Sequence, residues 1–202
     1  MKLYKGIFLE YGMNPYIKIL LWSSFFSAFA AGLLAPIYAI FVTDIGGDVL
    51  LAGSTFAVFS IVTGVITLSL ANWEDRVKHK ERLLICARLL LCVGFFGYLF
   101  VSEPWHLFVI QVIFGVASAI GLPAFDALFS SHLDKGRSAF EWGIWESMFA
   151  IVSGISALAG SYIVYIFGFK LLFLIMFIFS CFSFFVTLFL QRRKVRLHRH
   201  TH

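Results

Sequence analysis

The chain has 202 residues, of which 60% are hydrophobic and only 13% charged, and its formal net charge is +5. Outside six long apolar stretches it holds only an N-terminal segment, short loops and a basic tail, and none of these can bury a core of its own. The composition therefore excludes a soluble domain.

The six apolar stretches are the predicted structural elements. Each reaches or closely approaches the ~20 residues that a helix needs to cross a bilayer. In hydrocarbon every backbone amide must be satisfied within its own segment, so each stretch is predicted to be a transmembrane helix. The spans, numbered I to VI, cover about 17–42, 50–71, 83–101, 106–130, 142–166 and 171–190, and a basic tail follows at 191–202. The predicted fold is one all-α integral membrane domain over residues 1–202.

The basic residues predict the orientation of the spans, because Lys and Arg in short loops resist translocation. With the N-terminus inside, all of them except Lys170 lie on or near the cytoplasmic face. Asp44, Asp48 and Glu103 lie in the opposite loops. We expect a plasma-membrane protein with both termini in the cytoplasm. Its positive charge then reflects topology rather than binding to nucleic acid, and the basic tail can hold anionic lipid.

Motifs of primary pumps and enzymes are missing from the sequence. It contains no dinucleotide fingerprint, P-loop, HExxH or GxSxG. Cys86, Cys92 and Cys181 all lie within spans without a CxxC pair, which is typical of apolar filler. The sequence therefore predicts neither an enzyme nor a cofactor or metal site.

Two helices carry stripes of small residues with identical spacing. In helix II the stripe consists of Gly53, Ala57, Ser60, Gly64, Thr67 and Ala71. In helix V it consists of Gly143, Ser147, Ala150, Gly154, Ala157 and Ser161. Small residues on one helical face let backbones approach closely in lipid, so both helices are predicted to be packing elements.

The character of the helices repeats after three spans. Helices I and IV hold Pro36 and Pro123, helices II and V carry the small stripes, and helices III and VI are rich in bulky aromatic residues. An odd number of spans per unit makes the second unit enter the membrane from the other side. The pattern predicts an inverted 3+3 repeat.

The loop between helices II and III, from Ala71 to Lys80, resembles the loop signature of the major facilitator superfamily, an Asp-Arg pair followed by a basic run. The run from Gly115 through Asp126 to Gly143 is similar to helix IV, the short charged loop and helix V of that family. Ala71, Lys78 and His79 depart from it, because the family commonly has Gly, Gly and Arg at these positions. Asp75 and Arg76 match the Asp-Arg pair, and the resemblance implies that they are inner-gate residues.

The resemblance covers all six spans, which form one half of the family's usual twelve. It implies that two copies pair around a central cavity. Helices II and V would form the seam, helices I and IV would line the cavity, and helices III and VI would face lipid. Seam residues are then expected at Gly53, Ala57, Ser60, Gly64, Gly143, Ser147, Gly154 and Ala157.

Three charges lie within the spans, at Arg88, Asp126 and Glu146. They sit at similar depths, roughly 7 to 9 Å inside the cytoplasmic boundary, so they could form one cluster. Arg88 can neutralise only one carboxylate, and the other is a candidate carrier of a coupling proton. The alternative is that the charges brace the inner ends of helices III, IV and V.

Four polar or amphipathic residues on helices I and IV are candidates for contact with a solute: Trp22, Ser23, Tyr38 and Gln111. We therefore expect a secondary transporter of a small solute that works as a homodimer with alternating access and is coupled to protons. The alternative is a non-transporting membrane subunit that pairs with a different partner. The sequence leaves open the solute, uptake or export, and protons versus sodium.

Reporter fusions check the predicted topology. Fusions after Gly12, within residues 44–48 and after Arg196 should report inside, outside and inside, because the basic residues partition to one face and the number of spans is even. A terminus that reports outside would contradict the topology.

Overall fold

The structure is a computed structural model that describes residues 13–199, apart from the side chains of Asp75 and of residues 192–199. This part of the chain is helical with short connections, which confirms the predicted all-helical class. The helices are α1 Pro15–Leu34, α2 Tyr38–Asp44, α3 Val49–Arg76, α4 Lys80–Tyr98, α5 Pro104–His132, α6 Ser138–Phe167 and α7 Phe169–Arg199. The last helix thus continues into the segment that the sequence analysis assigned to the tail.

Five segments of the described chain are long and apolar enough to cross a membrane. They are Pro15–Asp44, Val49–Glu74, Pro104–His132, Ser138–Phe167 and Phe169–Gln191. The predicted span III is α4, which has 19 residues and begins with the charged side chains of Lys80, Glu81 and Arg82. These charges, with Arg88, make α4 more polar than the other five. The chain is a multi-pass membrane protein.

The two prolines in the predicted spans I and IV differ in their effect. Pro36 lies in a 3-10 turn, Ala35–Ile37, that separates α1 from α2. Pro123 lies inside α5, which is continuous across it. Proline removes one helical hydrogen bond in either case, but only the first site also changes the helix type.

Polar residues at the membrane boundaries define where three helices begin. The Asn14 side chain accepts a hydrogen bond from the Tyr16 amide at the start of α1. Asp48 accepts one from the Leu51 amide at 2.8 Å and caps α3. Glu103 and His106 form a reciprocal capping box at the start of α5. Each cap satisfies amides that have no partner within their own helix.

The helices differ in how deeply they are buried. The first span packs on α6 and α7, α5 packs on α3 and α4, and α4 also contacts α7. Only 6% of the most apolar part of α3 is buried and 17% of that of α6, against 44% for the first span. The helices α3 and α6, predicted spans II and V, are therefore peripheral.

Two hydrophobic clusters form the interior. One gathers Ile17, Leu20, Phe129 and Met148 with neighbours on α1, α5 and α6. The other gathers Leu33, Phe95, Tyr98, Leu107 and Phe173 with neighbours on α1, α4, α5 and α7. The expectation that the aromatic residues of spans III and VI face lipid is thus only partly met. Phe95, Tyr98 and Phe173 are buried, whereas Phe182, Phe185 and Phe189 are about half exposed.

Glycines allow the closest helix contacts, and these lie outside the two predicted stripes. A Cβ atom at Gly160 of α6 would overlap the carbonyl oxygen of Leu33 on α1. A Cβ atom at Gly115 of α5 would lie 2.8 Å from Val62 and 3.0 Å from the Phe59 carbonyl oxygen on α3. Small residues at such crossings let backbones pack where lipid supplies no hydrophobic drive.

Replacement of Gly160 tests the contact between α1 and α6. We expect Gly160→Ala to lower the free energy of unfolding by about 1–3 kcal/mol, because the new methyl group meets backbone that cannot rotate away. Gly154→Ala is the matched control on the same helix, since nothing lies within 4 Å of a Cβ there. Thermal unfolding followed by tryptophan fluorescence would compare the two. Equal stability of the two variants would contradict the described contact.

Candidate functional site

A pocket of about 370 Å³ lies between α1, α2, α3, α4 and α5. We call it the aromatic pocket, because its walls are mainly apolar and aromatic. They include Phe56, Phe59, Phe95, Tyr98, Phe114 and Met176. Its volume falls in the range that small organic ligands occupy in proteins, roughly 300–1,000 Å³.

A row of hydrogen-bonded polar side chains lies along one wall of the aromatic pocket. Gln111 Nε2 donates to Tyr38 Oη at 3.2 Å, and Tyr38 Oη lies 2.8 Å from Thr55 Oγ1. Thr55 itself donates to the Ala52 carbonyl oxygen at 3.0 Å, so Tyr38 is the donor to Thr55. These hydrogen bonds link α5, α2 and α3. Tyr38 and Gln111, both cavity candidates from the sequence, therefore meet in one place at the pocket wall.

A second pocket of about 220 Å³ adjoins the first and contains Arg88. We call it the Arg88 pocket. Both pockets are lined by Ala31, Leu91 and Ser118, so they are neighbours on either side of these residues. Arg88 follows Lys80, the first residue of α4, by eight positions, which places it about 12 Å along the helix.

Arg88 has one hydrogen-bond partner among the described residues. Its Nη1 donates to Ser27 Oγ at 2.7 Å, and its Nε is buried without a hydrogen-bond partner. A charged side chain at membrane depth costs about 2.5–3.5 kcal/mol on insertion scales, and such groups are normally paired. No carboxylate is among the side chains that line the pocket.

The sequence suggested that Asp126 lies near Arg88, but the structure does not bring the two side chains together. Asp126 is exposed on α5, and the described part of the chain contains no ion pair between the two. The reason is helical phase. Ala124 and Leu128, each two residues away, are buried, and a side chain two positions along a helix points about 200° away.

Glu146 is displaced from Arg88 for the same reason. Its neighbours at two residues, Ile144 and Met148, are buried, and Glu146 is exposed on the opposite side of α6. The predicted cluster of three charges is therefore not formed in the described chain. The roles of these residues in coupling stay predictions.

The other two cavity candidates, Trp22 and Ser23, lie away from both pockets. Ser23 is fully buried against α7, where its Oγ lies 2.6 Å from Thr187 Oγ1 and its carbonyl oxygen accepts from Ser183 Oγ at 2.8 Å. Trp22 is 50% exposed and contacts Phe25 and Phe26. The face of α1 that lines the pockets instead carries Ser24, Ser27, Ala28 and Ala31.

The small stripes of α3 and α6 are uncovered in the single chain. Gly53, Gly64, Gly143 and Gly154 have nothing within 4 Å of an added Cβ. Ala57, Ser60 and Ser147 are exposed, and Ala157 is half-buried. Other residues of the same helices line the pockets, since Phe56 and Phe59 of α3 line the aromatic pocket and Trp145 and Phe149 of α6 line the Arg88 pocket.

The predicted inner-gate residues lie at the last turn of α3. Arg76 is exposed there, and the side chain of Asp75 lies outside the described residues. Next to them Glu74 is buried and lines a pocket of about 210 Å³ with Lys80, Leu83 and Pro123.

Sequence reasoning missed two further buried carboxylates at the same ends of the helices. Glu81 accepts a hydrogen bond from Tyr16 Oη at 3.2 Å. Glu141 is fully buried, and its Oε2 accepts from the Asp134 amide at 3.2 Å. For Glu141 the helical spacing indicates burial, because it precedes the buried Ile144 by three residues and the buried Met148 by seven and so lies on the same helix face.

Comparison with known proteins identifies the family. The family model of the Major Facilitator Superfamily matches residues 20–201. The chain belongs to this superfamily. This confirms the resemblance drawn from the loop after span II and from spans IV and V.

The relatives of the chain include an MFS-type transporter and several multidrug resistance proteins. The chain is 24% identical to an uncharacterised MFS-type transporter of Methanocaldococcus jannaschii over 149 aligned residues. The aligned region covers 74% of the chain and 38% of that protein. The chain is 27% identical over 169 residues to the multidrug resistance protein MdtG of Dickeya zeae, covering 80% of the chain and 41% of that protein. For MdtG of Serratia proteamaculans the identity is 30% over 103 residues, which is 49% of the chain and 25% of that protein. The chain spans about two-fifths of the first two relatives.

Proposed function

We propose that this superfamily member is a secondary transporter of small organic solutes that works as a homodimer in the plasma membrane, with both termini in the cytoplasm. The observation that carries the proposal is the pair of adjoining pockets beside α1 and α5, together with the uncovered small-residue stripes of α3 and α6. A second copy would enclose the pockets, and rocking of the two copies would expose them alternately to each face of the membrane.

The helix contacts support an inverted repeat of three helices within the chain. Spans I, II and III contain α1, α3 and α4, and spans IV, V and VI are α5, α6 and α7. If the two sets are exchanged, the contact of α1 with α6 becomes that of α5 with α3. The exchange also turns the contact of α1 with α7 into that of α5 with α4, and it leaves the contact of α4 with α7 unchanged. In this proposal α4, the predicted span III, also crosses the membrane and brings the number of spans from five to six.

The names of the relatives suggest the direction of transport and the kind of solute. Several of them are named multidrug resistance proteins. An aromatic pocket of about 370 Å³ suits apolar organic molecules of that general kind. We therefore include export of small organic compounds in the proposal.

The proposed seam joins α3 of one copy to α6 of the other. Gly64→Leu or Gly154→Leu should weaken the dimer by about 1–2 kcal/mol per site, because a leucine side chain would separate the two backbones. The fold of one copy should be unaffected, since both positions are open in the single chain. The measurement is the protein mass in detergent, with bound detergent subtracted, over a range of concentrations.

Phe185→Leu is the control for the seam, because Phe185 is exposed on α7. It should leave the dimer intact. Dissociation by the Phe185 variant, with the two glycine variants still dimeric, would show that the seam lies elsewhere.

Asp126 is the proposed carrier of the coupling proton. It lies on a cavity helix one turn beyond Leu122, which lines the Arg88 pocket, and it is exposed without an ion-pair partner among the described residues. Transport against a gradient needs an ion gradient, because the sequence has no nucleotide-binding motif. An exposed carboxylate on the cavity side could exchange protons with either face during alternating access.

Replacement of Asp126 by Asn keeps the side-chain shape and removes the titrating group. Proteoliposomes with the original chain should accumulate an aromatic dye when a pH gradient is applied. Asp126→Asn should abolish this accumulation and retain downhill exchange of the dye, whereas Asp48→Asn, in an exposed loop, should retain both. Full accumulation by the Asp126 variant would exclude it as the carrier. No movement of any dye by the original chain would favour a non-transporting membrane subunit.

A further inference from the structure

The Arg88 pocket presents hydrogen-bond donors that have no acceptor. Arg88 Nε and Trp145 Nε1 are both buried without a hydrogen-bond partner in the described chain, and both residues line the pocket. A guanidinium and an indole can only donate. Buried donors are normally satisfied, so two orphaned donors beside one cavity point to an acceptor that occupies it.

The remaining walls of this pocket add no competing charge. From α1 come the hydroxyls of Ser24 and Ser27, and from α5 comes the hydroxyl of Ser118. The α6 wall consists of Trp145 and Phe149. The guanidinium is therefore the only formal charge among the side chains that line the pocket, and in a poorly hydrated space it attracts an anion strongly.

The position of the Arg88 pocket indicates what the anion is attached to. It adjoins the larger aromatic pocket at the shared residues Ala31, Leu91 and Ser118. A positively charged pocket rich in donors therefore lies next to a mainly apolar one. We infer that the transported solute is an amphipathic organic anion, whose acidic group binds Arg88 and Trp145 and whose apolar body lies in the aromatic pocket. This inference rests on the proposed transport function and specifies its substrate class.

Carboxylates of the protein itself are poorer candidates for the missing acceptor. Asp126 and Glu146 are exposed, and neither lines the Arg88 pocket. Asp126 of a second copy and an anionic lipid headgroup are the two other acceptors that a binding experiment must separate from a bound solute.

Equilibrium binding of matched naphthalene probes tests the inference. The protein would be placed in phosphatidylcholine nanodiscs and titrated with 2-naphthalenesulfonate, the neutral 2-naphthalenesulfonamide and the cationic 2-naphthyltrimethylammonium. The original chain should bind the sulfonate at least ~10-fold more tightly than the sulfonamide, because hydrogen bonds to a charged group are the stronger ones. The cation should bind more weakly than either.

Four variants assign the preference to the two donors. Arg88→Gln should weaken sulfonate binding ~10-fold or more and leave sulfonamide binding within about twofold. Arg82→Gln, an exposed arginine on the same helix outside the pocket, should change neither. Trp145→Phe should weaken sulfonate binding a few-fold, on the order of one hydrogen bond, whereas Trp142→Phe, outside the pocket, should not. If Arg88→Gln fails to fold, Arg88→Lys should retain a reduced preference for the sulfonate.

Several results would overturn the inference. Tighter binding of the neutral or cationic probe by the original chain would do so and would leave the transport proposal standing. A rise of ~10-fold in sulfonate affinity in Asp126→Asn would identify a protein carboxylate as the partner of Arg88. Displacement of the sulfonate by added phosphatidylglycerol would identify a lipid headgroup instead. Failure of every probe both to bind and to be transported would count against the transport function itself.

Discussion

Close approach of helix backbones is the constraint on which this structure depends. Lipid tails are as apolar as the helix surfaces, so burial of apolar area does not draw helices together within a membrane. The contacts of α6 with α1 at Gly160 and Leu33, and of α5 with α3 at Gly115 and Phe59, provide dense packing in its place. Buried hydroxyls add directed bonds, as between Ser23 on α1 and Thr187 on α7. These crossings set the rotation of each helix about its axis.

Helix rotation in turn decides which side chains reach the cavity. With α6 held against α1 at Gly160, the residues of α1 that face the Arg88 pocket are Ser24, Ser27 and Ala31, whereas Ser23 is buried against α7. The same constraint places Arg88 beside Ser27 and Trp145 beside Arg88 in one pocket. The functional proposals depend on this geometry, because unpaired donors indicate a bound acceptor only when they lie at the same pocket.

The glycines of this chain form two kinds of small-residue surface. One kind is used within the chain, at Gly32, Gly115 and Gly160, where an added Cβ would collide with a neighbour. The other kind, at Gly64 and Gly154, meets nothing within 4 Å. Glycine is costly in a helix, so an open row of small residues on an otherwise apolar helix needs an explanation outside the single chain. Contact with another helix bundle supplies one.

The sequence by itself determined the fold class, the membrane character and the family. Long apolar runs can satisfy their backbone only as helices, and the Asp75-Arg76 loop with spans IV and V resembled the superfamily whose model matches residues 20–201. It also named Tyr38 and Gln111 as cavity candidates, because both lie on helices expected to line a cavity, but their hydrogen bond to each other was found only in the structure. The tertiary structure alone decided the rest. Arg88 bonds to Ser27 rather than to Asp126 or Glu146, and Glu81 is buried although it lies at the start of α4. Spans that are apolar on every side carry almost no periodic signal, so the direction in which each side chain points follows only from how the helices cross.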